Sequence, residues 1–345
     1  MITLSNTEKL SMLRNLGVML GSGIPLAEAV ESLLEDTKGN LRKVLLALRA
    51  DLLQGKQISG SLAAFPRAFD KVTVNLIKAA EEAGTLETTL KDLQEHIQAE
   101  IEFTDKIKFA MIYPALIMAL FIGVLVMILT VVVPRISSVF SRLRVELPLP
   151  TKILIWASNL LIDNTALIII GLTVVVAGGI ILYRSQRQLV LSVIFGLPGI
   201  STLVRQIDWA RFSRSLYLLL SSGLPITVAL SLAADVVMDG RIGKVISKCR
   251  EMVIAGKKVS DGLRWGKKVA PSLMIKLVEA GERTGTLDRS MQEISQHLDY
   301  EVGNSLKALT AILEPVLLVI VGISVGGMML AIYMKPRYSV RWCKL

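Results

Sequence analysis

The strongest constraint on the fold of this chain is an apolar run at residues 110–133, AMIYPALIMALFIGVLVMILTVVV, which contains no charged side chain. A helix needs about 20 apolar residues to cross the hydrocarbon core of a bilayer. Residues 165–183 and residues 312–334 form two further apolar runs, although the last one contains Glu314 near its start. We therefore expect three transmembrane helices.

The composition agrees with a membrane class. Hydrophobic residues make up 52% of the 345 residues, and the 20% of charged residues lie mainly between the apolar runs. Residues 189–204 are also apolar, but Pro198 interrupts a segment that is already short, so we expect an interfacial or core segment there. The two cysteines, Cys249 and Cys343, are far apart and form no CxxC pattern, which indicates neither a disulfide framework nor a zinc site.

An internal repeat divides the chain. Residues 14–29, RNLGVMLGSGIPLAEA, match residues 214–229, RSLYLLLSSGLPITVA, at an offset of 200. Further along, at an offset of 201, GKQIS matches GKKVS and AEEAGTL matches GERTGTL. Self-similarity of this length indicates two copies of one structural unit.

The repeat also extends into the helical pattern. Apolar residues recur with a 4-3-4-4 spacing that forms one helical stripe, at positions 86, 90, 93, 97 and 101 and again at 287, 291, 294, 298 and 302. Pro114 and Pro315, and likewise His96 and His297, occupy equivalent positions. Each copy is therefore predicted to be a bundle of about six helices whose last helix continues into a membrane span.

These observations predict an all-α membrane protein with two homologous helical bundles. The N-terminus lacks a signal-like apolar core, so we expect the first bundle to stay in the cytoplasm, and an even number of crossings then returns the second bundle to the same side. The expected order is 1–109 first copy, 110–134 span, 135–163 extracytoplasmic connection, 164–184 span, 185–311 second copy, 312–334 span and 335–345 extracytoplasmic tail.

The sequence SGxP occurs at the same place in both copies and predicts a corner between two helices. Gly23 and Gly223 suit a helix end, where a left-handed residue closes the last turn. Pro25 and Pro225 suit the first turn of the next helix, where the missing N–H has no partner to lose.

The sequence contains no recognisable catalytic set. The phosphate-binding pattern GxxxxGK[ST] is absent, and neither of the two histidines lies in a metal-ligating pattern. We expect no enzymatic activity, no metal and no cofactor. The net charge of +10 fits attraction to anionic lipid, and because no nucleic-acid-binding motif accompanies it, we expect no nucleic-acid partner.

A few charged residues are candidates for function. Beside the glycines that separate the last two helices of each copy lie charged side chains that either form a docking face or simply cover a solvated helix end: Glu81, Glu82, Glu282 and Arg283. Lys257 and Lys258, with Lys267 and Lys268 nearby, offer a basic docking face. Glu314 is a candidate intramembrane functional residue, unless it reaches the cytoplasmic edge of the span. Gly322 and Gly326 form a GxxxG pattern that allows close helix contact.

The whole pattern resembles the type II secretion system protein F family, which includes the inner-membrane platform protein of type IV pili. The resemblance rests on the two SGxP corners, on AEEAGTL and GERTGTL, on IYP and LEP at the start of the first and third spans, and on VVVPRISSVF followed by LPLPT. It covers nearly the whole chain. The segment that usually precedes the first repeat in this family is expected to be missing.

The resemblance implies a non-enzymatic scaffold in the cell inner membrane. It implies contact with a cytoplasmic assembly ATPase, a pilin or pseudopilin, other inner-membrane assembly proteins, membrane lipid and further copies of the chain itself. The alternative is a small transporter or channel in which Glu314 lines a polar path. Transporters normally have more spans, with binding sites between membrane repeats, whereas the duplicated part here is expected in the cytoplasm.

Overall fold

The structure is a computed structural model that describes residues 2–142, 152, 155–156, 158–160 and 200–333. The predicted span at 164–184, the predicted tail at 335–345, Cys343 and most of the apolar segment at 189–204 lie outside the described residues. Within the described ranges, every regular element is helical, which agrees with the predicted all-α class.

The first copy contains six helices, as predicted. They are α1 Asn6–Gly21, α2 Leu26–Asp36, α3 Gly39–Leu53, α4 Ile58–Ala63, α5 Lys71–Ala83 and α6 Leu86–Met127. A π-helical turn at Ile128–Val132 and α7 Val133–Arg142 follow. The second copy repeats the order with α8 Ile200–Ser221, α9 Ile226–Ala234, α10 Gly240–Ile254, α11 Val259–Trp265, α12 Ser272–Thr284 and α13 Leu287–Tyr333.

The glycine corners have the conformation that the sequence predicts. Gly23 and Gly223 have φ angles of 81° and 79°, in the left-handed region where only glycine avoids a steric penalty. Pro25 and Pro225 lie at the N-caps of α2 and α9, one residue before the first turn that the sequence suggested. The carbonyl groups of these prolines accept the first hydrogen bonds of the two helices. A residue at the N-cap does not need to donate a backbone hydrogen bond to the helix, so proline is accommodated there without loss.

Members of the predicted apolar stripes are buried in the cores of the two bundles. In α6, Leu90 and Leu93 are fully buried, and in α13 the equivalent Met291 and Ile294 are at most 2% exposed. Helix α1 contributes Met12, Leu13 and Leu16 to the first core. A 3.6-residue period keeps the members of each stripe on one side of its helix.

The described chain divides into two compact units. The first combines residues up to Ile107 with Thr202–Asn304, and we call it the two-copy unit because it contains most of both copies. The second contains Lys108–Ser201 and the residues from Ser305 onward. The two copies are therefore parts of one compact body, although the sequence presented them as two bundles.

One helix in the described residues is long and apolar enough to cross a membrane, and it covers Leu86–Arg135. Its most apolar 18-residue window has a mean hydropathy of 3.2 and is 6% buried. The π-helical turn ends two residues before Pro134, and a proline removes one backbone donor and crowds the carbonyl four residues earlier, which lies in this turn. Residues 312–333 of the predicted span at 312–334 belong to α13, where Ile312, Leu318 and Ile323 are at least 65% exposed. The span itself stays a prediction.

We predict that Gly262→Ala destabilises the second copy by about 1–3 kcal/mol, because the site has no room for a methyl group. A Cβ at Gly262 would lie 2.5 Å from the Cα of Cys249 in α10. Chemical unfolding of the detergent-solubilised chain measures the effect. Gly243→Ala is the matched control, since a Cβ there meets no described atom within 4 Å. Equal stability of the two variants would contradict the prediction.

Candidate functional site

Two of the predicted docking carboxylates stabilise the fold. Glu81, near the end of α5, accepts hydrogen bonds from the backbone N–H groups of Ile58 at 2.5 Å and Ser59 at 3.0 Å. These donors belong to the first turn of α4, where backbone N–H groups have no partner within the helix. Glu81 therefore caps a neighbouring short helix with a negative charge.

The second copy repeats this cap. Glu282 accepts from the backbone N–H of Val259 at 2.5 Å and from that of Ser260 at 3.3 Å. Because the same contact occurs in both copies, the recurring carboxylate in AEEAGTL and GERTGTL has a structural explanation within the chain.

The two neighbours of these carboxylates lie at the surface. The carboxylate of Glu82 is 4.0 Å from Lys78 Nζ, and its side chain is 60% exposed. Arg283 is 68% exposed and contacts Glu279 at 2.5 Å. Both remain accessible to a partner, in contrast to the two capping residues.

The candidate lysines lie on an exposed surface of the second copy. Lys257 and Lys258 occupy the connection between α10 and α11 and are exposed, as are Lys267 and Lys268 after α11. Trp265 is 60% exposed. It lines a shallow groove together with Lys244 and Lys248. We call these seven residues the lysine–tryptophan surface.

The candidate residues of the last apolar run lie in α13. The side chain of Glu314 lies outside the described residues. A Cβ added at Gly322 or Gly326 would meet no described atom within 4 Å, so the GxxxG face is open in the described part of the chain. Its role in span packing stays a prediction.

Sequence reasoning missed a charged cluster where the two copies meet. Arg214 of α8 is only 7% exposed. Its guanidinium donates to Glu100 of α6 at 2.8 Å and to both carboxylate oxygens of Asp299 of α13, at 2.8 and 2.6 Å. Arg211 donates to the other oxygen of Glu100 at 3.1 Å. The buried arginine thus receives one acidic partner from each copy.

Two further contacts reinforce this junction. The Arg214 guanidinium lies 4.8 Å from the ring centroid of Phe103, a distance suited to a cation–π interaction. An exposed ion pair also joins Lys71 of the first copy to Asp235 of the second at 2.7 Å. Exposed pairs contribute little, so the buried cluster dominates the electrostatics of the junction.

A cavity of about 260 Å³ lies beside the cluster. Helices α6, α8 and α13 line it, and its polar residues include Asp92, His96 and Asp299. The pKa of His96 is lowered to about 4, mainly by burial and to a smaller extent by the positive charge of Arg214. Burial also raises the pKa of Asp299, against the opposing effect of Arg214.

The two copies meet, but the histidines do not form a metal site. In the described residues, no group of three or more histidine, cysteine, aspartate or glutamate side chains is arranged to hold a metal ion. His297 instead contacts Glu301 of its own helix at 3.3 Å. One signal for the cluster was present in the sequence, since Arg14 and Arg214 recur in the repeat, but recurrence did not indicate which of the two is buried.

We predict that Glu81→Gln and Glu282→Gln each destabilise the chain by about 1–2 kcal/mol, because an amide has one acceptor oxygen and no charge for the helix start. Thermal unfolding of the solubilised chain measures the loss. Glu82→Gln is the adjacent control and should change stability by less than about 0.5 kcal/mol, as expected for an exposed residue. A loss of partner binding at Glu81→Gln without any loss of stability would contradict the capping role.

We also predict that His96 makes the chain less stable in mild acid. The unfolded chain binds a proton at this histidine below about pH 6.5, whereas the folded chain binds it only near a pKa of about 4. The stability that the neutral imidazole contributes is therefore lost as the pH falls through this window. Melting temperatures between about pH 7 and pH 5 should fall less for His96→Gln than for the unmodified chain. His297→Gln is the pseudo-equivalent control, and an identical pH profile for all three proteins would contradict the prediction.

Comparison with known proteins supports the duplication. A family model described as "Type II secretion system (T2SS), protein F" matches the chain twice, at residues 12–134 and 212–334. Each match contains one complete set of bundle helices except the start of the first helix. Together the two matches cover more than half of the chain.

Curated relatives come from two kinds of assembly system. The type IV pilus assembly protein PilC of Thermus thermophilus is 30% identical over 332 residues, 93% of this chain and 80% of the relative. PilC of Myxococcus xanthus is 29% identical over 330 residues, 95% of this chain and 79% of the relative. The type II secretion system protein F of Aeromonas hydrophila is 27% identical over 342 residues, 96% of this chain and 85% of the relative. The chain belongs to the type II secretion system protein F family.

Proposed function

We propose that this chain is an inner-membrane platform of a type IV pilus or type II secretion machine. In this role it couples a cytoplasmic assembly ATPase to the extraction of pilin or pseudopilin from the membrane. Family membership and relatives from both systems support the proposal. The ATPase supplies the energy, because the chain lacks the phosphate-binding loop sequence.

The observation that carries the proposal is the joint burial of Arg214 by residues of both copies. The charge pair between Glu100 and Arg214 supports a topology in which the two copies lie on the same side of a membrane. The chain crosses the membrane once if the apolar part of Leu86–Arg135 spans it, so a second crossing before the second copy is needed. The run at 165–183 provides it. We propose further, from the sequence, that the run at 312–334 adds a third span and that both copies lie in the cytoplasm.

The long helices suit the transmission of force. Helix α6 is continuous from Leu86, next to the corner at Gly84, to Met127 in the apolar run. Helix α13 is continuous from Leu287 to Tyr333. Because each turn of a helix is closed by hydrogen bonds, α6 and α13 are our candidates for the elements that carry force toward the membrane.

The lysine–tryptophan surface is our candidate contact for the ATPase. It combines six exposed or half-exposed lysines with one exposed indole, and interface cores are enriched in tryptophan. The first copy has alanine at the position equivalent to Trp265 and glutamine at the position equivalent to Lys258. The surface is therefore specific to the second copy, and it suits an acidic partner surface.

We predict that the double variant Lys257→Glu/Lys258→Glu weakens capture of the assembly ATPase by about tenfold, because charge reversal at a complementary interface costs more than about 1.4 kcal/mol. Co-purification from membranes of cells that express the complete system measures it. The matched control is Lys38→Glu/Lys43→Glu, which makes the same charge change on exposed residues of the first copy. Equal capture of the ATPase by both variants would mean that the ATPase does not bind this surface.

Deletion of the gene tests the function as a whole. We expect loss of piliation or of secretion, restored by the unmodified chain supplied from a plasmid. Unchanged piliation and secretion in the deletion strain would overturn the proposal. In that case, altered flux in vesicles after Glu314→Gln would favour the transporter alternative.

A further inference from the structure

The two copies share a helix pattern but expose different faces of their first helix. Arg214 and Leu218 of α8 are buried, with 7% and 3% exposure. The equivalent residues of α1 are Arg14, which is exposed, and Val18, which is 63% exposed. A surface that is covered in the second copy is therefore open in the first. We call it the α1 face, and it consists of Ser11, Arg14, Asn15 and Val18.

The covering element in the second copy is a face of α6 from the first copy. This face contains His96, Ala99, Glu100 and Phe103, of which Glu100 binds Arg214 and Phe103 stacks on it. The equivalent residues in α13 are His297, Tyr300, Glu301 and Asn304, which we call the α13 face. Tyr300 is 68% exposed, and the side chains of His297 and Glu301 are 43% and 41% exposed.

The contact between the copies therefore runs in one direction. A face of α6 covers α8, but the α13 face does not cover α1 in the same chain. Glu301 instead contacts His297 at 3.3 Å and Gln206 at 3.3 Å. Each chain thus makes this kind of contact once, between α6 and α8. The two equivalent surfaces, the α1 face and the α13 face, do not contact each other within the chain. A contact of this head-to-tail type can continue from one molecule to the next.

We infer that the α13 face of a second copy of this chain docks on the α1 face. The arrangement repeats between chains the contact that the structure contains within one chain. Glu301 of one protomer pairs with Arg14 of its partner, as Glu100 pairs with Arg214. Asp92 and Gln292 both line the cavity, and their sequence equivalents are Glu293 and Lys91. In the inferred contact, Glu293 of one protomer faces Lys91 of its partner with the opposite charge.

The charges and apolar surfaces of the two faces are complementary. Arg14 of the α1 face and the exposed Lys91 are basic, whereas Glu301 of the α13 face and the exposed Glu293 are acidic. The exposed Val18 and Tyr300 supply apolar area. Ser11 and Ser272 occupy the positions of Arg211 and Lys71, and Asn304 occupies that of Phe103. The contact between chains therefore lacks two of the ion pairs and the cation–π contact that join the copies within the chain. A weaker and reversible association follows, which suits a machine that assembles and disassembles.

The inference is independent of the ATPase contact. The lysine–tryptophan surface contains no residue of the α1 face or the α13 face. Self-association can be measured with the full chain alone in detergent or lipid nanodiscs. A failure of self-association therefore leaves the proposed function untouched, and a failure of ATPase capture leaves this inference untouched.

A charge-swap experiment tests the contact. Chains with two different affinity tags are co-expressed, solubilised and captured through one tag, and the other tag is quantified. We predict that Arg14→Glu and Glu301→Arg each lower co-capture by about tenfold, because each places like charges together at the contact. The double variant Arg14→Glu/Glu301→Arg should recover most of the association, since every contact between two double-variant chains again joins opposite charges.

Lys43→Glu is the matched control, because it reverses an exposed charge on α3, a helix that contributes no residue to either face. It should leave co-capture unchanged. Thermal unfolding of each variant shows whether the fold is retained. Three outcomes would overturn the inference: no co-capture of the unmodified chain, normal co-capture of Arg14→Glu, or loss in both single variants without recovery in the double variant. The last outcome would mean that a different molecule occupies the α1 face.

Discussion

The organisation of the two-copy unit depends on the burial of one positive charge. Arg214 is nearly inaccessible to water, and a guanidinium in that position is tolerated only if carboxylates surround it. Asp299 of the second copy pairs with Arg214, and Glu100 of the first copy pairs with both Arg214 and Arg211, so the cluster of two arginines is neutral only when the copies are together. Removal of one partner from such a buried pair typically costs about 3–5 kcal/mol. The cluster therefore sets the register of α6 against α8.

The copies are alike inside and different at their surfaces. In each, a glutamate at the end of the fifth helix caps the fourth helix, and a left-handed glycine closes the corner that follows. These contacts are local to one copy, so duplication preserved them. The contact between the copies is not symmetric, because α6 of the first copy covers α8, whereas α13 of the second copy leaves α1 open. This asymmetry separates a paired side of the unit from surfaces that remain available to other molecules.

Several features were predictable because they depend on neighbours in sequence. The apolar stripe through Leu90 and Leu93, the corner at Gly23 and the six-helix order all follow from periodicity and backbone preferences. The role of Glu81 was not predictable in the same way, since its hydrogen-bond donors lie more than twenty residues earlier in the chain. A charged residue near a helix end looks the same in sequence whether it faces solvent or a neighbouring backbone.

The sequence by itself determined the all-helical class, the duplication, the apolar run at 110–133 and the family, because each depends on residue order and spacing. Only the tertiary structure decided which of two equivalent arginines is buried. Arg14 and Arg214 have the same local pattern, and the difference arises because Glu100 and Phe103 approach Arg214 from another copy of the fold. Burial depends on three-dimensional packing. The two copies have the same sequence pattern, but each has different neighbours once they pack together, so equivalent residues differ in burial.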